Sequence, residues 1–382
     1  MRIALFSEVY WPMVSGVGVT LDRLKEGLES RGHTLRVYSA TYALPHGAPD
    51  RLEVHRSPSI PLFLYPDVQW AFPRQREITA DLALFRPDVV HVATEFALGL
   101  AGVKAAGQLG IPIIASAHTD YQKYARRYGV GFVLRMGWIY LRWFYQHAEQ
   151  VLVPSRVYER TLNGLGVTHT GLWTRGVDQG QFHPRFRSAE WRARFGVGPD
   201  DLLVTYIGRL AREKDLLRLI AAWQALRTRC GNAQLVLVGR GPLEEELRRA
   251  ELPGVHLTGL LSGRELSEAY ASADLFVFPS PTETFGNSLL EAMASGLPSL
   301  AVDAGGVVEF AQHDVNAWLA RPHDTAALTG ALDRLMHDPA LRARLASGAR
   351  ATADGRPWDR IHDQLIEDYR RAAATRRTTQ AA

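Results

Sequence analysis

Apolar runs of strand length alternate with helical patterns along the whole chain, and this alternation limits the fold more than any other feature. The first half carries "RIALFS", "TLRVYSA", "DVVHVA", "PIIASAH" and "QVLVPS", and the second half "LLVTYIGR", "AQLVLVGR", "GVHLTG", "LFVFPS" and "PSLAV". Runs this rich in Val, Ile and Leu fit strands buried on both faces, as in a parallel sheet covered by helices. A parallel pair needs a crossover between its strands, and the intervening helical patterns supply one. At 382 residues the chain exceeds one ordinary core, so two doubly wound α/β domains are expected, residues 1–172 and 173–357. The passage from about Leu172 to Gly198, which holds "RGVDQGQFHPRF", reads as the linker. A last helix, "WDRIHDQLIEDYRRA", follows Pro357, where a change of direction is expected. Two such domains facing each other make a cleft at the carboxyl ends of their strands, so chemistry is sought just after strands.

Composition narrows the class. A hydrophobic content of 46% with 22% charged residues is that of a folded globular chain. The single cysteine, Cys230, excludes an internal disulfide framework and fits a reducing compartment. The opening apolar run is broken by Ser7 and Glu8, which is too short for a signal peptide, and no run approaches the roughly 20 apolar residues of a membrane span. A cytoplasmic protein is expected. The net charge of +4 sits wholly in residues 1–172. Within them, Tyr121 to Ala148 carries five basic residues, no acidic one and many aromatics. Such a stretch suits an anionic membrane surface, or equally one or two half-buried helices whose arginines reach water. A near-balanced charge argues against a nucleic-acid partner.

Four stretches after strands could carry chemistry. "GRLAREKDL" presents Gly208, then Arg209 and Lys214, two cations five positions apart. That pair suits a diphosphate, although the same loop could pair its charges with itself. "PTETFGNSLLEAM" places Glu283 before a helix and Glu291 about one turn inside it. Gly286 permits a close backbone approach, Asn287 and Ser288 are N-cap types, and a helix N-terminus attracts anions. Carboxylates there would repel phosphate and accept sugar hydroxyls instead; singly, each could be an ordinary surface residue. In "SGVGVT", Gly16 and Gly18 could offer backbone amides to a phosphate. The third glycine of the dinucleotide fingerprint is missing, and no acidic residue closes the second strand, so a nicotinamide site is not supported. "SAHTDY" puts His118 and Asp120 directly after a strand. No Asp-x-Asp, His-x-x-x-His, cysteine cluster, Walker loop or nucleophile elbow occurs, so no metal or other cofactor is expected.

Taken together, "ETFGNSLLE", "GRLAREKDL", "RGVDQGQF", "LTGLLSGRELSEAYASADLFVFPS", "AGGVVEF" and the closing "WDRIHDQLIEDY" resemble the retaining GT-B glycosyltransferases of family 4, and the likeness spans nearly the whole chain. The resemblance implies two Rossmann-like domains, an acceptor-binding first and a donor-binding second, with the last helix, residues 358–372, packing back on the first. It implies transfer of a hexose from a UDP- or GDP-linked sugar without a metal. Glu283 would meet hydroxyls of the donor sugar, Glu291 the ribose, and Arg209 and Lys214 the diphosphate. Gly208, Phe285, Gly286 and the amides of Asn287, Ser288 and Leu289 would complete the donor site, with Gly259 to Leu261 lining the base and Gly16 to Gly18 closing on phosphate or acceptor. His118 would stand by the reacting sugar. "FSEVYWPMVSGVGVTLDRL" is most similar to members that glycosylate diacylglycerol or phosphatidylinositol lipids, so Asp120, Tyr124, Arg126, Arg127, Trp138 and Arg142 would face acceptor and membrane, peripherally on the inner face. A soluble sugar, polysaccharide or metabolite acceptor is the alternative, and a silent nucleotide-sugar-binding protein a further one.

Overall fold

A computed structural model describes residues 1–13, 15–44, 50–62, 65–119, 131–229 and 231–381. The chain divides into two compact units, Met1–Arg175 with Trp358–Ala382, and Gly176–Pro357.

The first unit is built on β1 (Arg2–Ser7), β2 (Thr34–Ala40), β3 (Val54–Ser57), β4 (Ser59–Leu62), β5 (Tyr65–Ala71), β6 (Val89–Val92), β7 (Ile113–Ser116), β8 (Gln150–Val153) and β9 (Thr170–Leu172). Seven of them form one parallel sheet in the order β3-β2-β1-β6-β7-β8-β9, while β4 and β5 make a separate antiparallel hairpin. Ile3 pairs with Leu35 on one side and Val89 on the other, so the strand order reverses between β1 and β6. The strands are nearly all buried on both faces, as their unalternating apolar sequences require. One face is closed in part by the C-terminal helix Trp358–Ala381, whose Leu365, Ile366 and Tyr369 join Ile3, Leu5 and Leu24 in one core.

The second unit holds β10 (Leu203–Ile207), β11 (Gln234–Val238), β12 (Val255–Gly259), β13 (Leu275–Phe278), β14 (Ser299–Val302) and β15 (Trp318–Ala320), parallel in the order β12-β11-β10-β13-β14-β15. Val204 pairs with both Leu235 and Leu275, so the order reverses between β10 and β13. Ligands of doubly wound sheets bind beyond the strand ends at such reversals. The two motif loops of this unit, Gly208–Asp215 and Ser280–Gly286, leave from these two strands.

The division between the two units, after Arg175, falls inside the passage expected to be the linker. Trp173 and Arg175 are buried in the first unit, and Val177, Phe182, Trp191 and Val197 in the core of the second. The large apolar residues of this passage are spent on packing within one unit or the other.

Candidate active site

In the second unit the backbone turns sharply after β10. Tyr206 Oη donates to the Arg209 carbonyl at 2.9 Å, and a short 3-10 turn, Arg212–Lys214, ends at Asp215 in the left-handed region, φ 51°. That turn brings Lys214 Nζ to Glu283 Oε1 at 2.6 Å, with both side chains 17% exposed. The cation loop and the carboxylate loop are thereby joined by an ion pair between residues far apart in sequence. Thr282 Oγ1 donates to the Glu213 carbonyl at 3.2 Å and makes a second tie. Arg209 is half-buried at the head of the loop. Burial pushes the Tyr206 phenol well above its usual range, reinforced by the negative charges of Glu283 and Glu213.

The loop that carries Glu283 is held from behind by "AGG". Gly306 N donates to the Glu283 carbonyl at 2.8 Å, and a Cβ on Gly306 would stand 2.1 Å from the Thr284 carbonyl oxygen. No side chain fits there. Gly306→Ala is expected to destabilise the chain by about 1–3 kcal/mol through overpacking and to displace Glu283. A melting temperature and transfer rate equal to wild type would show that the loop does not depend on this approach.

Gly286, at φ 109°, is the N-cap of the helix Asn287–Ala294, where Asn287 or Ser288 was expected. Its conformation excludes most side chains, and no side chain caps the helix, leaving its first turn as a seat for an anion. Asn287 and Ser288 are half-buried at that end, while the Phe285 and Leu289 side chains are buried in the core. Phe285 stacks on Phe310 with ring centroids 5.0 Å apart. The Phe285 and Leu289 side chains, expected in the donor site, are thus spent on packing. Glu291 lies one turn in, where Tyr270 Oη donates to its Oε2 at 2.7 Å. Burial and then the Glu291 charge push the Tyr270 phenol well up, so it stays a donor. Gly259, φ 76°, ends β12, and Leu261 is half-buried just after it.

In the first unit, Gly16 and Gly18 belong to the helix Gly16–Glu29 and not to an open loop. Ser15 caps that helix, its Oγ accepting from Gly18 N at 3.0 Å. The Gly18 amide is therefore committed, and the position is small because a Cβ would lie 2.8 Å from the Met13 carbonyl. Gly16 is exposed at the helix start.

His118 is buried after β7. Its Nε2 lies 2.9 Å from Ser116 Oγ, and Arg175 Nη2 donates to its Nδ1 at 3.0 Å. Ser116 Oγ also meets His91 Nε2 at 2.8 Å, and His91 Nδ1 meets Tyr369 Oη at 2.7 Å. Burial, then Arg175, then His91 hold the His118 imidazole well below its ordinary range. Both ring nitrogens thus have protein partners, and the ring is neutral. His91, Ser116, Arg175 and Tyr369 were not found from the sequence: their separations give no local pattern. Glu8 was also missed, although it directly follows β1. Its Oε1 accepts from Leu98 N at 2.5 Å, capping the helix Ala97–Leu109.

Asp120, Tyr124, Arg126 and Arg127 lie outside the described residues. Trp138 and Arg142 lie on the helix Gly131–Tyr145. Trp138 is half-buried against the core, and Arg142 rests on the turn at Gly166. The exposed apolar side chains of this helix are Met136, Ile139 and Trp143, at 56%, 57% and 43%. Among the described residues, no helix is long and apolar enough to cross a membrane, and no group of three or more His, Cys, Asp or Glu could hold a metal ion.

The family model "Glycosyltransferase Family 4" matches residues 14–181, and "Glycosyl transferases group 1" matches residues 201–338. A GDP-mannose-dependent alpha-mannosyltransferase of Mycobacterium tuberculosis is 36% identical over 390 residues, covering 100% of this chain and 99% of that protein. An alpha-monoglucosyldiacylglycerol synthase of Streptococcus pneumoniae is 29% identical, over 79% of this chain and 71% of that protein. Among solved structures, sucrose-phosphate synthase from Thermosynechococcus elongatus matches with a TM-score of 0.78 at 22% identity, covering 98% of this chain and 99% of that one. With a family model on each half and a full-length relative above 30% identity, the chain belongs to glycosyltransferase family 4 and is a hexosyltransferase of GT-B fold.

Proposed function

We propose that this chain moves a hexose from a nucleoside-diphosphate sugar to an acceptor hydroxyl with retention at the anomeric carbon and without a metal, and that the acceptor is a membrane lipid of the diacylglycerol or phosphatidylinositol type. The observation that carries the reading is the 2.6 Å contact between Lys214 and Glu283. It sets a cation for the leaving diphosphate beside a carboxylate that can accept sugar hydroxyls. Arg209 adds a second cation at the strand end, and the uncapped helix start at Gly286 offers amides and a positive dipole end to the phosphate. Glu291 takes the ribose hydroxyls, steadied by Tyr270.

The bond from the anomeric carbon to phosphate oxygen breaks and its electrons leave with the nucleoside diphosphate. The acceptor oxygen bonds the same face of that carbon, and its proton passes to the departing phosphate oxygen. Preorganised positive charge at the developing oxyanion lowers this barrier. Tyr270→Phe removes a bond of about 1 kcal/mol and is expected to weaken donor binding about fivefold. Calorimetry with nucleoside diphosphate checks it, and unchanged affinity would detach Glu291 from the donor.

Two observations support the lipid acceptor. Met136, Ile139 and Trp143 recur at helical spacing as one exposed apolar face, a form suited to a membrane interface. The Streptococcus relative is named for a diacylglycerol product. The Mycobacterium relative, named for GDP-mannose, places GDP-mannose first among donors to try. The deciding experiment presents UDP-glucose, UDP-galactose and GDP-mannose with EDTA present, then adds vesicles containing diacylglycerol or phosphatidylinositol. Diphosphate release from one donor, accelerated by one lipid, with the product's anomeric configuration unchanged, is the expected result. Release that no lipid accelerates, together with no flotation on anionic vesicles, would return the acceptor to the soluble class.

A further inference from the structure

Arg175 is 4% exposed, and no carboxylate among the described residues pairs with it. Its Nη1 donates to the carbonyls of Trp173 and Thr174, its Nη2 donates to His118 Nδ1, and the guanidinium lies 4.7 Å from the centre of the Trp173 ring. A buried cation that meets no carboxylate among the described residues is costly, and part of its hydrogen-bonding capacity is spent on His118. Burial lowers its proton affinity only to about 9, so it remains charged at neutral pH.

A guanidinium has protons to give and no lone pair to accept with, so His118 Nδ1 must be the acceptor. The proton of the neutral ring is then on Nε2, which donates to Ser116 Oγ. Ser116 has one proton and passes it to His91 Nε2, so His91 carries its own proton on Nδ1 and donates to Tyr369 Oη. One charge at one end orients every bond in the row.

We propose that Arg175 is a positioning residue for transfer: by donating to Nδ1 it fixes His118 as the Nε2–H tautomer. The proposal rests on the reading of His118 as the neighbour of the reacting sugar. That sugar gains positive charge as the diphosphate leaves, and an imidazolium beside it would oppose the reaction. Among the described residues, Arg175, Ser116 and Trp173 contact the His118 ring, with His91 and Tyr369 beyond Ser116.

Nitrogen NMR of the full chain labelled at histidine, with His118→Gln to assign the signal, reads the tautomer directly. The expected wild-type spectrum has His118 protonated on Nε2 alone and unchanged between about pH 8 and about pH 5.5. In Arg175→Met the ring is expected to lose this fixed tautomer and to show the Nδ1–H form as well, with a lower transfer rate. Arg175→Lys, which keeps a donor, should restore the Nε2–H form. A wild-type ring protonated on Nδ1 overturns the proposal, as does an Arg175→Met spectrum that still shows the Nε2–H form alone. If Arg175→Met does not fold, the wild-type spectrum and the lysine variant still decide. Absence of transfer with every donor would sink the functional reading and leave the tautomer result standing.

Discussion

Replacing Lys214 by alanine is expected to slow transfer at saturating donor by about 10²–10³-fold, the scale of losing one preorganised donor at a developing oxyanion. Under the proposed function the ammonium has two tasks in the site. It would meet the charge of the leaving diphosphate, and through its 2.6 Å contact with Glu283 it would hold that carboxylate for the sugar hydroxyls. Both are felt more in the transition state than in the bound donor, so the loss should appear in kcat and only weakly in KM. Glu283→Gln separates the tasks, since it keeps the side chain's shape while removing the ion pair. If Lys214→Ala raised KM alone and left kcat untouched, the residue would belong to donor capture. Thermal unfolding must accompany the kinetics, because a half-buried Glu283 deprived of its partner destabilises the loop by itself.

That pair also illustrates what the sequence could and could not disclose. The unalternating apolar runs identify the strands, and the doubly wound topology places "GRLAREKDL" and "PTETFGNSLLEAM" at a reversal of strand order, which is why residues 69 positions apart meet. The identity of the meeting partners was not legible: a diphosphate-binding lysine and a sugar-binding glutamate were expected separately, and they are found bound to each other. In "SGVGVT" the amides of Gly16 and Gly18 were expected to be open to a phosphate, and the Gly18 amide is taken by Ser15, the N-cap one residue earlier. The passage from Leu172 to Gly198 does hold the division between the units, after Arg175, but only tertiary packing reveals Trp173 and Arg175 as interior residues. The row from Tyr369 to Arg175 spans four distant segments, and no periodicity joins them.

The largest stability effect should come from that same row. His91 is fully buried, and burial, followed by the charge of Arg175, pushes its imidazole from 6.5 down to about 3. The groups facing it are Ser116, Tyr369, Trp173 and, beyond Ser116, His118. None is an acid, so a proton arriving there has no counter-charge. The folded state binds that proton more weakly than the unfolded chain does; the stability is therefore complete above about pH 6.5 and is lost as pH falls from there toward about 3. Each pH unit in this window costs about 1.4 kcal/mol, and the whole interval up to about 5 kcal/mol. His91→Gln removes the titration while retaining an amide that can donate and accept. It is expected to cost about 1–2 kcal/mol at neutral pH through imperfect hydrogen bonds and to flatten the acid limb by up to one proton. Urea unfolding at a series of pH values measures both. The two stability curves should therefore converge below pH 6.5 and cross before the acid limit, whereas parallel curves would mean that His91 binds its proton equally well in the folded and unfolded chain.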